Sequence, residues 1–292
     1  MLTGIILLLC TGIGWAGLAA IVSAGRTRHA PIMLVQPMSA VLVLFFAGWS
    51  FFLSGGALPE GRAFYMQIGC LIGVGAANYF MLILVQKAMK SGRGGVIWAF
   101  TKSSMICPFL MGMTVFGEPP SFGKIGGIIF ILSALILFSL SKEKKGGSSS
   151  GKWLIATSGA FLISGIAQCF ASLPSYYQLA GMTAMRRMLI MQTGIVLAFL
   201  LDRSPHKYSG LKERNVWIFA ACFGGSNLCA LLCFYNALNL LADAKCASAG
   251  YPAAEGISVV LFFLYTVFRH REPLSAWIAM FLLCIGILLL AL

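Results

Sequence analysis

Charged side chains are scarce in this sequence: only 10% of its 292 residues are charged, and just eight are acidic. A soluble globular domain carries about 25% charged residues, so water is not the main solvent of this chain. The sequence also lacks a Gly-rich phosphate loop ending in Lys-Ser/Thr and lacks an HExxH motif. These absences argue against ATP hydrolysis and against an enzyme of the metalloprotease type.

The chain has nine cysteines but no CxxC pair, and its three histidines lie in predicted loops. Cys222, Cys229 and Cys233 fall on roughly one face of a predicted helix. A metal site there would need further ligands, and a buried free cysteine ordinarily behaves as a small hydrophobic side chain. We therefore expect no metal and no cofactor.

Long apolar runs are what the sequence does contain: 59% of its residues are hydrophobic, and the mean hydropathy is +0.90. Each run is long enough to cross about 30 Å of hydrocarbon as a helix. The runs are continuous rather than alternating, which favours helices over barrel strands. Ten transmembrane helices are predicted, at 2–22, 31–53, 64–86, 94–116, 122–141, 153–173, 182–201, 216–238, 246–268 and 273–292.

The net charge of +13 reflects basic residues that lie mainly in short predicted loops. They form no contiguous basic patch, so we expect no nucleic-acid partner. Fifteen of them fall on one predicted face of the membrane and five on the other, with Lys102 inside a span. The positive-inside rule makes the first face cytoplasmic and both termini external. A multi-pass protein of the bacterial inner (plasma) membrane is predicted, as a monomer or a homodimer.

A polar linker at 142–152, rich in Gly, Ser and Lys, divides the chain into two halves of five predicted spans each, 1–141 and 153–292. Short matches recur in the same order in both halves. Thr11–Trp15 resembles Ser164–Gln168, Gly75–Asn78 resembles Gly224–Asn227, and Thr114–Ser121 resembles Thr266–Ser275. An odd number of spans per half reverses the orientation of the second half. The predicted fold is therefore an all-α integral membrane protein of two inverted five-helix repeats, which is a recurrent transporter plan.

At Phe116-Gly117-Glu118-Pro119, followed by an apolar span with Gly126 and Gly127, the sequence resembles the end of an EamA-type repeat of the drug/metabolite transporter (DMT) superfamily. Glu272-Pro273-Leu274-Ser275 with Gly286 resembles the second copy, and Gly12–Trp15 is similar to the first helix of such repeats. The resemblance implies a ten-helix carrier of metabolites, amino acids, sugars or drugs, often an exporter.

Two ionisable residues are predicted near the middle of the membrane: Lys102 in the fourth span and Glu255 in the ninth. An ionisable side chain at that depth costs roughly 2.5–3.5 kcal/mol on insertion scales, so it indicates a partner, a cavity or a function. The alignment of the two halves puts these residues at nearly equivalent positions, where they can face each other. Glu255 is interpreted as a proton or cation carrier or the partner of a cationic substrate, with Lys102 as its counter-ion or as an anion anchor. The alternative is a static ion pair.

Further polar residues lie within or near the spans. Arg186 and Arg187, at the outer end of the seventh span, either receive an anion or reach the outer headgroups. Asn78 and Asn227 lie in Gly-rich stretches that favour helix packing, and both are also candidates for binding the substrate or the ion. Pro108, Pro174 and Pro252 are predicted to break helices at depth. The residues predicted to line a cavity are Trp15, Gln168, Tyr176, Tyr177 and Tyr251.

These patterns predict a secondary transporter that moves a small metabolite or drug-like solute by alternating access. An ion gradient, protons in particular, or the gradient of the solute itself would drive it. The alternatives are a lipid-linked carrier or flippase of the same superfamily and an integral membrane protein that does not transport. The expected partners are a small-molecule substrate and the lipid bilayer.

Overall fold

The computed structural model describes residues 2–27, 30–53, 61–90, 94–118, 121–140, 152–177, 182–204, 208, 210–243, 247–268 and 274–291, and every regular element in these ranges is helical. The linker 142–151 and Glu272 of the second Glu-Pro stretch lie outside them. The helices are α1 Leu2–Thr27, α2 Ile32–Leu53, α3 Arg62–Met89, α4 Gly94–Lys102, α5 Ile106–Thr114, α6 Phe122–Leu140, α7 Lys152–Tyr176, α8 Ala184–Leu201, α9 Arg214–Asp243, α10 Gly250–Val267 and α11 Leu274–Ala291.

Eight segments of the described residues are long and apolar enough to cross a membrane, with α4 and α5 together forming one of them. Helices α6 and α11 contain shorter apolar stretches, Ile125–Ala134 and Leu274–Leu289. Each of the ten predicted spans thus contains an apolar helix. A bilayer satisfies no backbone hydrogen bonds, and helices satisfy their own. Over the residues that the structure describes, the chain is an all-helical protein with the helices of a multi-pass membrane protein.

The fourth span is interrupted near its middle, where the 3-10 turn Ser103–Met105 joins α4 to α5. A second 3-10 turn, Ala247–Ala249, leads into α10. Pro108 and Pro252 are the third residues of α5 and α10, a position in the first turn that tolerates a residue without an N–H. Pro174, in contrast, lies inside the continuous helix α7. The prediction that Pro174 breaks its helix is wrong.

The packing of the helices has a mirrored pattern with respect to the two halves of the chain. Helix α1 packs against α9 and α10, and α7, the first helix of the second half, packs against α3 and the α4–α5 pair. Of the remaining major contacts, three join equivalent helices, α2 with α8, α4 with α10 and α6 with α11, and two are counterparts of each other, α2 with α9 and α8 with α3. The helices of each half therefore pack mainly against helices of the other half.

Two glycines bring α3 and α8 unusually close. A Cβ added at Gly75 would lie 2.0 Å from the backbone oxygen of Met191, and one at Gly194 would lie 2.1 Å from the backbone oxygen of Ile72. Only a residue without a side chain fits at either position, so the two backbones are in direct contact. This crossing fixes the two helices that carry Asn78 and Gln192, which line the site described below.

Candidate functional site

A cavity of ≈ 100 Å³ lies between the two halves of the chain. It can hold several water molecules, since one water needs roughly 10–15 Å³ of such space. Aromatic rings and polar side chains make up much of its wall. The lining residues are Trp15, Leu18, Gln36, Val74, Asn78, Met81, Leu82, Trp98, Lys102, Ser164, Ala167, Gln168, Ala171, Met191, Gln192, Ile195, Phe223, Asn227, Leu231, Phe234, Tyr235, Tyr251 and Glu255.

An ion pair crosses between the halves at the cavity wall. The Lys102 Nζ, at the end of α4, lies 2.8 Å from the Glu255 Oε1 on α10. Helices α4 and α10 run antiparallel, since Trp98 bonds to Ser258 and Lys102, further along α4, bonds to Glu255, which precedes Ser258 on α10. Glu255 is only 1% exposed. Because removal of one partner would leave the other buried without its counter-charge, the pair ties α4 to α10.

Two indole rings flank the Lys102 ammonium. Its Nζ lies 5.0 Å from the ring centroid of Trp15 and 4.9 Å from that of Trp98, within the range of a cation–π interaction. The Trp98 Nε1–H donates to the Ser258 Oγ at 3.1 Å, which fixes the indole on α10. The ammonium is thus held by one carboxylate and two aromatic faces.

A short chain of hydrogen bonds leads away from Glu255 along α7. The Gln168 Nε2 donates to the Glu255 Oε1 at 3.3 Å and to the Ser164 Oγ at 3.1 Å. The Ser104 hydroxyl, in the 3-10 turn between α4 and α5, donates to the same Ser164 oxygen at 2.9 Å. The helix break in the fourth span therefore places a polar turn beside the ion pair.

Several buried polar atoms of the lining residues have no hydrogen-bond partner among the described residues. They are the Glu255 Oε2, the Gln168 Oε1, the Gln36 Oε1, and the Oε1 and Nε2 of Gln192. A buried acceptor without a donor costs about 1–3 kcal/mol, so these atoms favour the entry of a polar guest. Most of them are acceptors.

The two arginines of α8 do not line the cavity. The Arg187 side chain is buried and donates three hydrogen bonds: to the Met182 carbonyl at 3.0 Å, the Ser175 Oγ at 2.6 Å and the Asn239 Oδ1 at 2.9 Å. Its guanidinium also lies 5.5 Å from the centroid of the Tyr235 ring, on the cavity wall. The guanidinium of the half-buried Arg186 lies 5.3 Å from the Phe51 ring. Arg187 therefore ties α7, α8 and α9 together.

The remaining residues singled out in the sequence divide into two groups. Six predicted candidates line the cavity: Trp15, Asn78, Lys102, Gln168, Asn227 and Glu255. Tyr251 lines it as well, whereas Tyr176 stacks on Phe116 with centroids 4.0 Å apart and Tyr177 is exposed. Sequence reasoning missed Gln36 and Gln192. Their signal was an amide within a long apolar run, at a depth where polar side chains are rare.

No protein-family model matches the chain, and no curated protein matches it. Twenty-five chains of solved structures do match. One of them, a crystal structure, covers 99% of this chain and 98% of its own length with a TM-score of 0.62 and 13% sequence identity. A likeness at such low identity concerns the fold alone. It means that the helical arrangement described above also occurs, over nearly the full length, in another protein.

Proposed function

We propose that this protein is a secondary transporter that moves a small solute across the membrane by alternating access through the central cavity. The observation that carries the proposal is the Lys102–Glu255 pair, which joins the two halves at the wall of a cavity that is lined by polar, aromatic and aliphatic side chains. Ionisable residues within membrane spans mark substrate and ion pathways as a rule. A purely structural pair would not need a cavity beside it or unpaired acceptors around it.

The mirrored helix packing supports an arrangement as two inverted five-helix repeats. Exchanging the halves converts the neighbours of α1 into the neighbours of α7 and leaves the α2–α8, α4–α10 and α6–α11 contacts in place. Transporters of this plan bind substrate near the midplane between the repeats. Together with the Phe116–Pro119 motif, this favours an EamA-type carrier of the DMT superfamily in the bacterial inner membrane.

Within this proposal, Glu255 carries the coupling ion, a proton, and Lys102 is its counter-ion. Gln168 orients the Glu255 carboxylate through its amide N–H. Trp15, Asn78 and Asn227 form the wall along which the substrate lies. Because Arg187 already uses its Nε and both terminal nitrogens within the protein, its part is to hold the cavity wall rather than to receive the substrate.

The test is transport by the purified protein in proteoliposomes. The vesicles are given a defined mixture of amino acids, amines, sugars and nucleosides, with and without an imposed pH gradient, and their contents are measured by mass spectrometry. We expect one chemical class to accumulate, and to do so more strongly with the gradient. Glu213→Gln, an exposed carboxylate outside the cavity, is the matched control for Glu255→Gln. Equal contents in vesicles with wild-type protein and in vesicles with Glu255→Gln would contradict the proposal.

A further inference from the structure

The Lys102 side chain is itself a model of a ligand. Beyond its Cα it is a four-carbon chain ending in an ammonium, and that ammonium sits in a complete receptor: the Glu255 carboxylate at 2.8 Å and the faces of Trp15 and Trp98 at 5.0 and 4.9 Å. A carboxylate flanked by aromatic rings is the environment that proteins use to recognise organic ammonium groups. Resting on the transport function proposed above, we infer that the substrate is a small organic cation with a primary or secondary ammonium, which binds Glu255 in place of Lys102.

The unused hydrogen-bonding capacity of the site favours this class. The Glu255 Oε2 and the Gln168 Oε1 are acceptors without a donor among the described residues. The orientation of the Gln168 amide is fixed, because its Nε2 donates to both Glu255 and Ser164. A primary ammonium has three N–H donors and a secondary one has two, so such a head group supplies what these oxygens lack.

An anionic substrate fits the same atoms less well. To bind Lys102 it would have to draw the ammonium away from Glu255, and it would leave that carboxylate buried without its partner. It would also bring further acceptors to a site that already has acceptors in excess. The other buried cation nearby, Arg187, is held by three hydrogen bonds outside the cavity lining.

The rest of the cavity fits an apolar tail. The rings of Phe223, Phe234 and Tyr251 lie on its wall, and the Trp15 ring packs against Phe234 with centroids 4.9 Å apart. A cation with an alkyl or aryl group of a few carbons satisfies both parts of the cavity. Such amphipathic amines can bury the tail against aromatic rings while the head replaces a charge that is already accommodated there.

Displacement of the Lys102 ammonium by the ligand would have an effect that a purely structural Lys102 would not have. If the Lys102 ammonium occupies the ligand site, it competes with the ligand. Its long, flexible stem allows it to leave when a free ammonium enters. Shortening or neutralising the side chain then removes the competitor, so the affinity for organic cations rises while the stability of the empty protein falls.

The experiment uses isothermal titration calorimetry on the full-length protein in detergent, so that binding is measured without transport. The probes are n-butylammonium, 1-butanol and butyrate, which share a four-carbon skeleton and differ in charge. We expect the wild-type protein to bind n-butylammonium and to bind the other two at least about tenfold more weakly. Preference for butyrate, or equal binding of all three, would overturn the inference.

Two variants complete the test. Lys102→Met is expected to bind n-butylammonium at least about tenfold more tightly than the wild type, with Lys87→Met, an exposed lysine at the end of α3, as its control. Glu255→Gln is expected to lose most of the binding, with Glu213→Gln as its control. Weaker binding by Lys102→Met, or unchanged binding by Glu255→Gln, would overturn the inference. If Lys102→Met does not yield monodisperse protein, the comparison of the three probes on the wild type decides.

The two proposals fail in different ways. Selective binding of n-butylammonium without uptake in vesicles would leave the cation site standing and contradict the transport function. Uptake of an anionic or neutral solute, with no binding of n-butylammonium, would support transport and overturn the assigned substrate class.

Discussion

The carboxylate of Glu118 is bonded to Ser248 of the other half of the chain. The Ser248 backbone N–H donates to the Glu118 Oε1 at 3.2 Å, and the Ser248 hydroxyl donates to the Oε2. Gly117 has a positive φ of 67°, which turns the chain so that the Glu118 N–H reaches the Gly112 carbonyl at 3.0 Å. The Gly-Glu pair of the sequence motif is thus a clamp from the end of α5 to the 3-10 turn before α10.

Removing this clamp should lower stability. We expect Glu118→Ala to reduce the free energy of unfolding by about 2–3 kcal/mol, because hydrogen bonds to a charged group contribute about 1.5–3 kcal/mol each. Ser248→Ala should cost less, and the double variant should cost less than the sum of the two single variants. Thermal unfolding in detergent measures all three, with the exposed Glu213→Ala as the control. Additive losses would contradict the contact.

The Lys102–Glu255 pair should show strong coupling as well. Either Lys102→Met or Glu255→Gln alone should destabilise the protein, Lys102→Met by about 3–5 kcal/mol because it leaves a buried carboxylate unpaired. The double variant should recover part of the loss, since no unpaired charge remains. A double-mutant cycle on yield and on melting temperature tests this prediction. Equal and additive damage would argue that the two charges do not interact.

The crossing of α3 and α8 gives a prediction with an internal control. Gly75→Ala should destabilise by about 1–3 kcal/mol, because its Cβ would meet the Met191 carbonyl and force the helices apart. Gly73→Ala, two residues away on the same helix, has no atom within 4 Å of the added carbon and should be tolerated. Comparable melting temperatures of the two variants would contradict the close contact.

Glu255→Gln should lose proton-driven accumulation and substrate exchange together. The amide removes the carboxylate to which both the proton and the cationic substrate bind in the proposals above, so neither activity should exceed that of empty vesicles. Counterflow and proton-driven uptake in the same proteoliposomes measure the two activities. Accumulation by Glu255→Gln under a proton-motive force would assign Glu255 a purely structural partnership with Lys102.

The distribution of basic residues predicts an orientation in the membrane that can be tested by labelling. In a background with the nine cysteines replaced, a cysteine at Ser149 should be protected from an impermeant thiol reagent on intact cells. One added after Leu292 should be labelled. Both positions lie outside the described residues. The reverse pattern would invert the topology and leave the ten helices unchanged.

The sequence predicted the helices well because length and hydropathy alone determine them. It also predicted that Lys102 and Glu255 can meet, because the short match Thr114–Phe116 with Thr266–Phe268 aligns the two halves. Their contact at 2.8 Å agrees with that prediction. A charge at depth is so costly that its position in the sequence is informative by itself.

The rest of the site depends on which way each side chain faces. Trp98 occupies an ordinary position in an apolar helix, and nothing in its spacing tells that its ring faces the cavity. Tyr176 and Tyr177 are of the residue type expected in a cavity wall, but they lie at the end of α7 and do not line the cavity. The course of the backbone at Pro174 could not be predicted either: the proline suggested a helix break, but α7 continues through it. Tertiary packing fixes these details, and one sequence does not encode them in a readable pattern.

The three hydrogen bonds of Arg187 bear on how the protein is made. Arg187 lies on α8. One of its partners, Ser175, is on α7 and is synthesised before it, whereas another, Asn239, is on α9 and is synthesised after it. Until α9 is synthesised, the nascent α8 carries an incompletely satisfied charge and is held weakly by lipid. We therefore expect stable integration of α8 to require α9. A chain whose translation stops between them should remain exposed to the quality-control proteases of the membrane.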